Sequence, residues 1–231
     1  MSFSSHDESL GCVRRVAYTR RMPHNRALPS GPSDVAAAAE WNERYSRSEH
    51  IWSGEPNAAL VDEAAELTPG RALDVGCGEG ADAIWLAGRG WQVTALDVSI
   101  VALDRALEAA TRAGVEIEWL HAGLLDADLE PATFDLVSAQ YPALRRTPEH
   151  DAERVLMSLV APGGTLLFVH HDLGDAPDPE HFADHVMPEQ VLAAIGPGWV
   201  LERHRGRERR VSGGAGSHHD RDIVVRARRM R

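Results

Sequence analysis

The chain of 231 residues contains no lysine: all 24 of its basic residues are arginine, which reads as coding bias rather than as a functional signal. It has two cysteines, Cys12 and Cys77, far apart and in unlike surroundings. That excludes a disulfide framework and makes a reducing, cytoplasmic setting the expectation. No apolar run approaches the length needed to span a bilayer, so no membrane-crossing helix is expected. Arginine pairs at 14–15 and 20–21 suggest a twin-arginine signal, but no apolar stretch follows them.

Basic charge is also scarce where a nucleic acid would need it. Residues 1–33 carry five arginines against two acids and residues 201–231 carry ten against four, whereas the stretch between holds nine against 29. An acidic body is a poor surface for phosphate backbones, so no nucleic-acid partner is expected. The arginine-rich end reads as a solvated edge strand, with an RNA-touching strip as the alternative.

What is present fits one α/β domain with a sizeable core. Residues 1–33 lack periodicity and read as a disordered extension, with Met22 a second candidate start. Ser33 offers an N-cap, and 34–46 is predicted as a helix with Trp41 and Tyr45 on one face. A loop with Trp52, Gly54 and Pro56 leads to a helix carrying Leu60, Val61, Ala64 and Leu67, stopped by Pro69-Gly70. Strands are then predicted at 71–75, 91–97, 116–121, 134–139, 165–170, 199–203 and 222–227. Helices are predicted at 80–88, after an N-cap at Ser99 and up to Gly114, from Pro148, and at 187–195. Such alternation implies a doubly wound, mostly parallel sheet covered on both faces.

The most informative stretch is Ala72-Leu73-Asp74-Val75-Gly76-Cys77-Gly78-Glu79-Gly80, an apolar strand running into three glycines at alternate positions. Asp97 ends the next strand, seventeen residues past Gly80. Bare backbone admits close approach of a ligand, and a carboxylate at that strand end can accept from both ribose hydroxyls. The pair reads as a nucleoside-cofactor site. The spacing alone also satisfies a dinucleotide fingerprint, so an NAD(P)-dependent oxidoreductase is the first alternative. Asp74 inside the strand and Pro162-Gly163-Gly164 before the fifth strand argue against it.

On Leu73–Gly80, Asp97, Phe134-Asp135-Leu136-Val137 and Pro162-Gly163-Gly164-Thr165-Leu166, the chain resembles the class I S-adenosylmethionine-dependent methyltransferases over residues 40–230. The resemblance implies a Rossmann-like seven-stranded sheet with an antiparallel last strand, a methyltransferase domain over 34–231, and a helical cover over 34–68. Trp41, Tyr45 and Trp52, followed by Gly54-x-Pro56, look like the aromatic segment of the thiopurine and tellurite-resistance methyltransferases. The group implies that these aromatics cover the cofactor, where a sulfonium would gain cation–π attraction; core packing is the alternative. It further implies Asp74, Gly76, Gly78, Gly80 and Gln140 around the cofactor, Asp97 on the ribose, and Val98 and the Leu124 backbone at the adenine. Gly123 stands where relatives often carry an acid. The implied activity is methyl transfer to a small molecule, preferably a sulfur or chalcogen nucleophile, with a non-catalytic S-adenosylmethionine-binding protein as the second alternative.

Catalytic candidates are sought at the carboxyl edge of the sheet. Strand five ends in His170-His171-Asp172, and strand alternation predicts that only one histidine faces a pocket. An antiparallel last strand would bring His218-His219-Asp220 to the same edge. The candidates are therefore His170, His219 and Tyr141, which follows strand four. The same residues lack metal-ligand spacing, so no metal is expected. Cys77 reads as a small filler within the turn.

Overall fold

The computed structural model describes residues 32–174, 182–208 and 220–231. Its elements in chain order are α1 (Pro32–Ser46), α2 (Ala58–Ala64), β1 (Arg71–Val75), α3 (Ala81–Gly88), β2 (Gln92–Asp97), α4 (Ile100–Ala113), β3 (Glu118–His121), β4 (Phe134–Gln140), α5 (Asp151–Leu159), β5 (Val160–His171), α6 (Pro188–Ala194), β6 (Trp199–Glu208) and β7 (Arg221–Arg229). The strands form one seven-stranded sheet in the order β3-β2-β1-β4-β5-β7-β6. All neighbours up to β5 pair in parallel, and β7 is antiparallel to both β5 and β6. The Rossmann-like sheet with a reversed last strand is therefore as expected. The extension assigned to 1–33 lies outside the described residues up to 31, and Ser33 falls within the first turn of α1 rather than before it.

Strand alternation divides the core between the two faces of the sheet. Leu73, Val137 and Phe168 pack with Leu156 of α5 and Val191 of α6 on one face. Ala72, Leu136 and Leu167 pack with Leu60 of α2 and Leu86 of α3 on the other. The central strands are buried on both faces, which is why their sequences read as near-continuous apolar runs. Ser99 caps α4 by accepting from the Ala102 amide at 3.2 Å, and Gly114 closes that helix in a left-handed turn.

β3 starts at Glu118 rather than 116 and β6 runs on to Glu208 rather than 203, and two further boundaries differ from expectation for identifiable reasons. Pro148 does not open α5, because the Thr147 hydroxyl caps the helix from one turn earlier, accepting from the Asp151 amide at 3.1 Å. The residue between them, His150, takes up a left-handed conformation. Pro162-Gly163-Gly164 does not precede β5 but lies inside it: Phe134 pairs with Val160, Leu136 with Thr165, and the extra residues bulge from the ladder.

Four arginines of β6 and β7 are engaged internally. Glu63 of α2 is 4% exposed, and its carboxylate takes Arg205 at 2.8 Å, Arg226 at 3.5 Å and Arg203 at 3.9 Å. Arg226 also donates to the Glu63 carbonyl at 2.8 Å, and Glu202 holds both Arg226 and Arg228. These pairs bolt the helical cover to β6 and β7. Glu63→Ala should leave this arginine cluster uncompensated and cost about 2 kcal/mol, less than for a fully buried pair because two partners are half-exposed. A urea midpoint that falls with an unchanged m-value is the expected result.

Candidate active site

The glycine turn between β1 and α3 docks on the end of β2, with the Gly76 and Cys77 amides donating to the Leu96 carbonyl at 2.9 and 3.0 Å. Beside it, Asp97 is 8% exposed. Its Oδ2 accepts from the Gly78 amide and its Oδ1 from the Ser99 amide, both at 2.8 Å. Each oxygen so held keeps a second lone pair, so the carboxylate is oriented without being used up. Gly76 is left-handed at φ 71, and a side chain there would meet open space. A Cβ on Gly78 would come within 2.9 Å of the Tyr45 hydroxyl and 3.2 Å of the Trp52 indole nitrogen. The turn is thus open before Gly76 and covered by aromatics at Gly78. Gly80 instead packs on α4, where a Cβ would come within 2.8 Å of Ala106.

The cover is held by its own aromatics and by polar groups around the turn. Trp52 donates through Nε1 to the Tyr45 hydroxyl at 2.8 Å. Glu79 accepts from the Trp52 and Ile51 amides, Asn42 accepts from the Ser99 hydroxyl, and Asp82 accepts from both nitrogens of Asn57. Burial and then the Asp97 charge push the Tyr45 hydroxyl well above its usual range. The faces of Trp41 and Trp52 carry the Arg44 guanidinium, 4.8 and 5.8 Å from the ring centroids. One face of Trp41 and one of Trp52 thus carry a cation of the chain itself. Trp41 itself lies 5.9 Å from Tyr45.

Behind the turn, Asp74 on β1 pairs with Ser138 on β4, and the Gln140 side-chain nitrogen donates to the Ser138 hydroxyl at 3.0 Å. Asp74 Oδ2 and Gln140 Oε1 are buried acceptors with no hydrogen-bond partner among the described residues. Buried acceptors are costly unless paired, so the two together fit a ligand that brings donors, such as an ammonium group. Val98 is half-buried and its carbonyl lies 3.0 Å from His121 Nε2. The Leu124 side chain is in the core, anchoring the loop in which Ala127 donates to Gly123.

At the end of β4, Tyr141 is left-handed at φ 51 and carries its ring across the end of β5. It therefore meets both histidines, stacking on His171 at 4.6 Å and lying edge-on to His170 at 6.4 Å, where strand alternation predicts that one would point away. His170 is buried and accepts through Nδ1 from the His171 amide at 2.9 Å, which leaves Nε2 to carry the proton in the neutral ring. Tyr141 donates to Asp222 Oδ2 at 2.8 Å, and His171 Nδ1 stands 3.6 Å from Asp222 Oδ1. The ladder pairs His171 with Asp222, so β7 does open at this edge; His219 lies outside the described residues. Asp222 and Phe182, 5.4 Å from His170, complete the cluster. The antiparallel register could have revealed Asp222, but nothing in the sequence pointed to Phe182.

Three carboxyls crowd the turn. Burial, followed by the charges of Asp82 and Asp97, raises Asp74 well above the usual carboxylate range; burial raises Asp82 and Asp97 as well. Burial and Asp97 also hold the Cys77 thiol neutral. A folded-state pKa above the unfolded value of about 3.9 means that stability is fully present below that value and is lost as pH rises through the raised one. Asp74→Asn should therefore raise the melting temperature of the free protein at pH 8, with the gain shrinking towards zero near pH 4. An equal or lower melting temperature at pH 8 would refute this.

Residues 72–164 match the family model of the methyltransferase domain. The chain is 41% identical to an uncharacterized methyltransferase of Mycobacterium bovis over 112 residues, 48% of this chain and 55% of the relative, so it spans about half that protein's length. A solved structure concerned with converting a disulfide bond into a thioacetal group in echinomycin biosynthesis superposes with TM-score 0.67 at 24% identity, covering 84% of this chain and 92% of the other. The N-methyltransferase NodS of Bradyrhizobium japonicum, in complex with S-adenosylhomocysteine, gives TM-score 0.65 at 20% identity over 83% and 98%. Over residues 72–164 the chain is accordingly similar to methyltransferase domains, and it shares the Rossmann-like α/β fold of these solved structures.

Proposed function

We propose that the protein transfers a methyl group from S-adenosylmethionine to a small molecule whose accepting atom is sulfur or another chalcogen. The observation that carries the first part is the Asp97 carboxylate, fixed by the Gly78 and Ser99 amides beside a turn that is bare at Gly76. In this reading Asp97 accepts from the ribose hydroxyls, and Asp74 and Gln140 receive the ammonium end. Val98 and the Leu124 backbone border the adenine. Tyr45 and Trp52 close the turn from above. When bound, the cofactor supplies an electrophilic methyl on a good leaving group, so the protein's work is alignment and exclusion of water. The named subject of the echinomycin-pathway structure supports sulfur as the acceptor class.

We assign the acceptor side to Tyr141 and His170, with His219 as the third candidate. A neutral thiol or hydroxyl must lose its proton as it attacks. Tyr141 is arranged to take that proton on its oxygen while passing its own to Asp222, which ends as the neutral acid. A thiolate would not need this help.

Asp97→Ala should weaken binding of S-adenosylhomocysteine by roughly ten- to a hundredfold in titration calorimetry, the worth of hydrogen bonds to a charged acceptor. Tyr141→Phe should bind the cofactor normally yet label thiols more slowly in a radiolabelled-methyl assay, with the deficit shrinking as pH rises through the thiol's own pKa. Undiminished binding by Asp97→Ala, or none by the parent, would overturn the cofactor assignment. Labelling of phenols in preference to thiols and chalcogen anions would overturn the acceptor class.

A further inference from the structure

Residues 45–52 form a strap over the glycine turn, and one pair of side chains grips its backbone. Arg105 of α4 donates through Nη2 to two strap carbonyls, Tyr45 at 2.8 Å and Ser48 at 2.6 Å. Its Nη1 donates to Glu79 Oε1 at 2.9 Å. Glu79 Oε2 in turn accepts from the strap amides of Trp52 at 3.1 Å and Ile51 at 3.3 Å. One guanidinium therefore grips the first half of the strap, one carboxylate grips the second half, and an ion pair joins them. His50 Nδ1 stands 3.7 Å from Glu79 Oε1, the oxygen that takes Arg105.

Beyond that grip the strap rests on Tyr45 and on the half-buried Ile51 and Trp52. Residues 46–50 are exposed, and only Tyr45 is buried among its side chains. The contacts of the pair are to backbone atoms, so they hold the path of the strap whatever its side chains are. Glu79 sits next to Gly78, on which Tyr45 and Trp52 rest and whose amide holds Asp97. The clasp and the ribose-binding carboxylate thus meet across one residue of the turn. We propose that Arg105 and Glu79 are a latch: they set how often the strap lifts from the glycine turn, and so the rate at which cofactor and its demethylated product exchange. The exchange half of this inference rests on the methyltransferase reading; the latch itself does not. Neither residue touches the reacting atoms, so both are positioning residues.

Two variants and two readouts test it. In the free protein, Arg105→Met should speed hydrogen exchange at the Ile51 and Trp52 amides by roughly ten- to a hundredfold, the loss expected for charge-assisted bonds, while Val137 and Ala139 in β4 keep parental protection. Release of S-adenosylhomocysteine, followed by stopped-flow tryptophan fluorescence, should accelerate by a similar factor. Glu79→Gln should move both readouts the same way but less, because the amide oxygen still accepts from the strap. It also serves if Arg105→Met fails to fold. Parental exchange at Ile51 and Trp52, or acceleration there matched in β4, would overturn the latch. A loosened strap with unchanged product release would overturn the exchange half. A loosened strap in a protein whose parent form ignores S-adenosylhomocysteine would leave the latch standing and overturn the methyltransferase reading instead.

Discussion

The carboxylate of Asp97 is the joint on which the rest of the site is hung. One oxygen takes the amide of Gly78 and the other the amide of Ser99, so a single side chain ties the glycine turn to the start of α4. The turn can approach that carboxylate only because its backbone is left-handed and bare at Gly76 and Gly78. Ser99, held on one side by Asp97, caps α4 and donates to Asn42 of α1. Sheet, turn, helix and cover therefore share one hydrogen-bond hub, and a displacement at any of them is felt at the others.

Around this hub the chain gathers more negative charge than folding alone would favour. Asp74, Asp82 and Asp97 are buried close together, and their carboxyls are all raised mainly by loss of water. Asn57 and backbone amides offset part of that cost, while Asp74 and Gln140 retain acceptors with no partner among the described residues. Such a site is least comfortable when empty of positive charge. A ligand bearing an ammonium and a sulfonium relieves it, which makes affinity for the proposed cofactor and stability of the free protein opposing demands.

The helical cover brings its own balance of charge. The side of α2 facing β6 and β7 is fixed by Glu63 within its arginines, and α1 is held at the opposite end by Asn42. Between these anchors the strap is fastened chiefly through its backbone by Glu79 and Arg105. Arg44 lies over one face of Trp41 and one of Trp52. The atoms of the cover that a Cβ at Gly78 would meet first are the Tyr45 hydroxyl and the Trp52 indole nitrogen.

Local pattern by itself determined the strand at 71–75, the strand from 134, the cap at Ser99, the glycine stop at 114 and the place of Asp97, because each depends on neighbours a few residues away. The reversed last strand followed from the resemblance to a known fold, and the sheet bears it out. Only tertiary structure decided that Pro162-Gly163-Gly164 bulges within β5, since the partner strand sets where a ladder begins. The same holds for Tyr141, whose ring reaches both histidines through a left-handed turn that no periodicity encodes. Glu79 with Arg105, and Tyr141 with Asp222, are 26 and 81 residues apart in sequence. Their meeting depends on how helices and strands stack, and a reading of residues along the chain carries no distance between segments that touch only once folded.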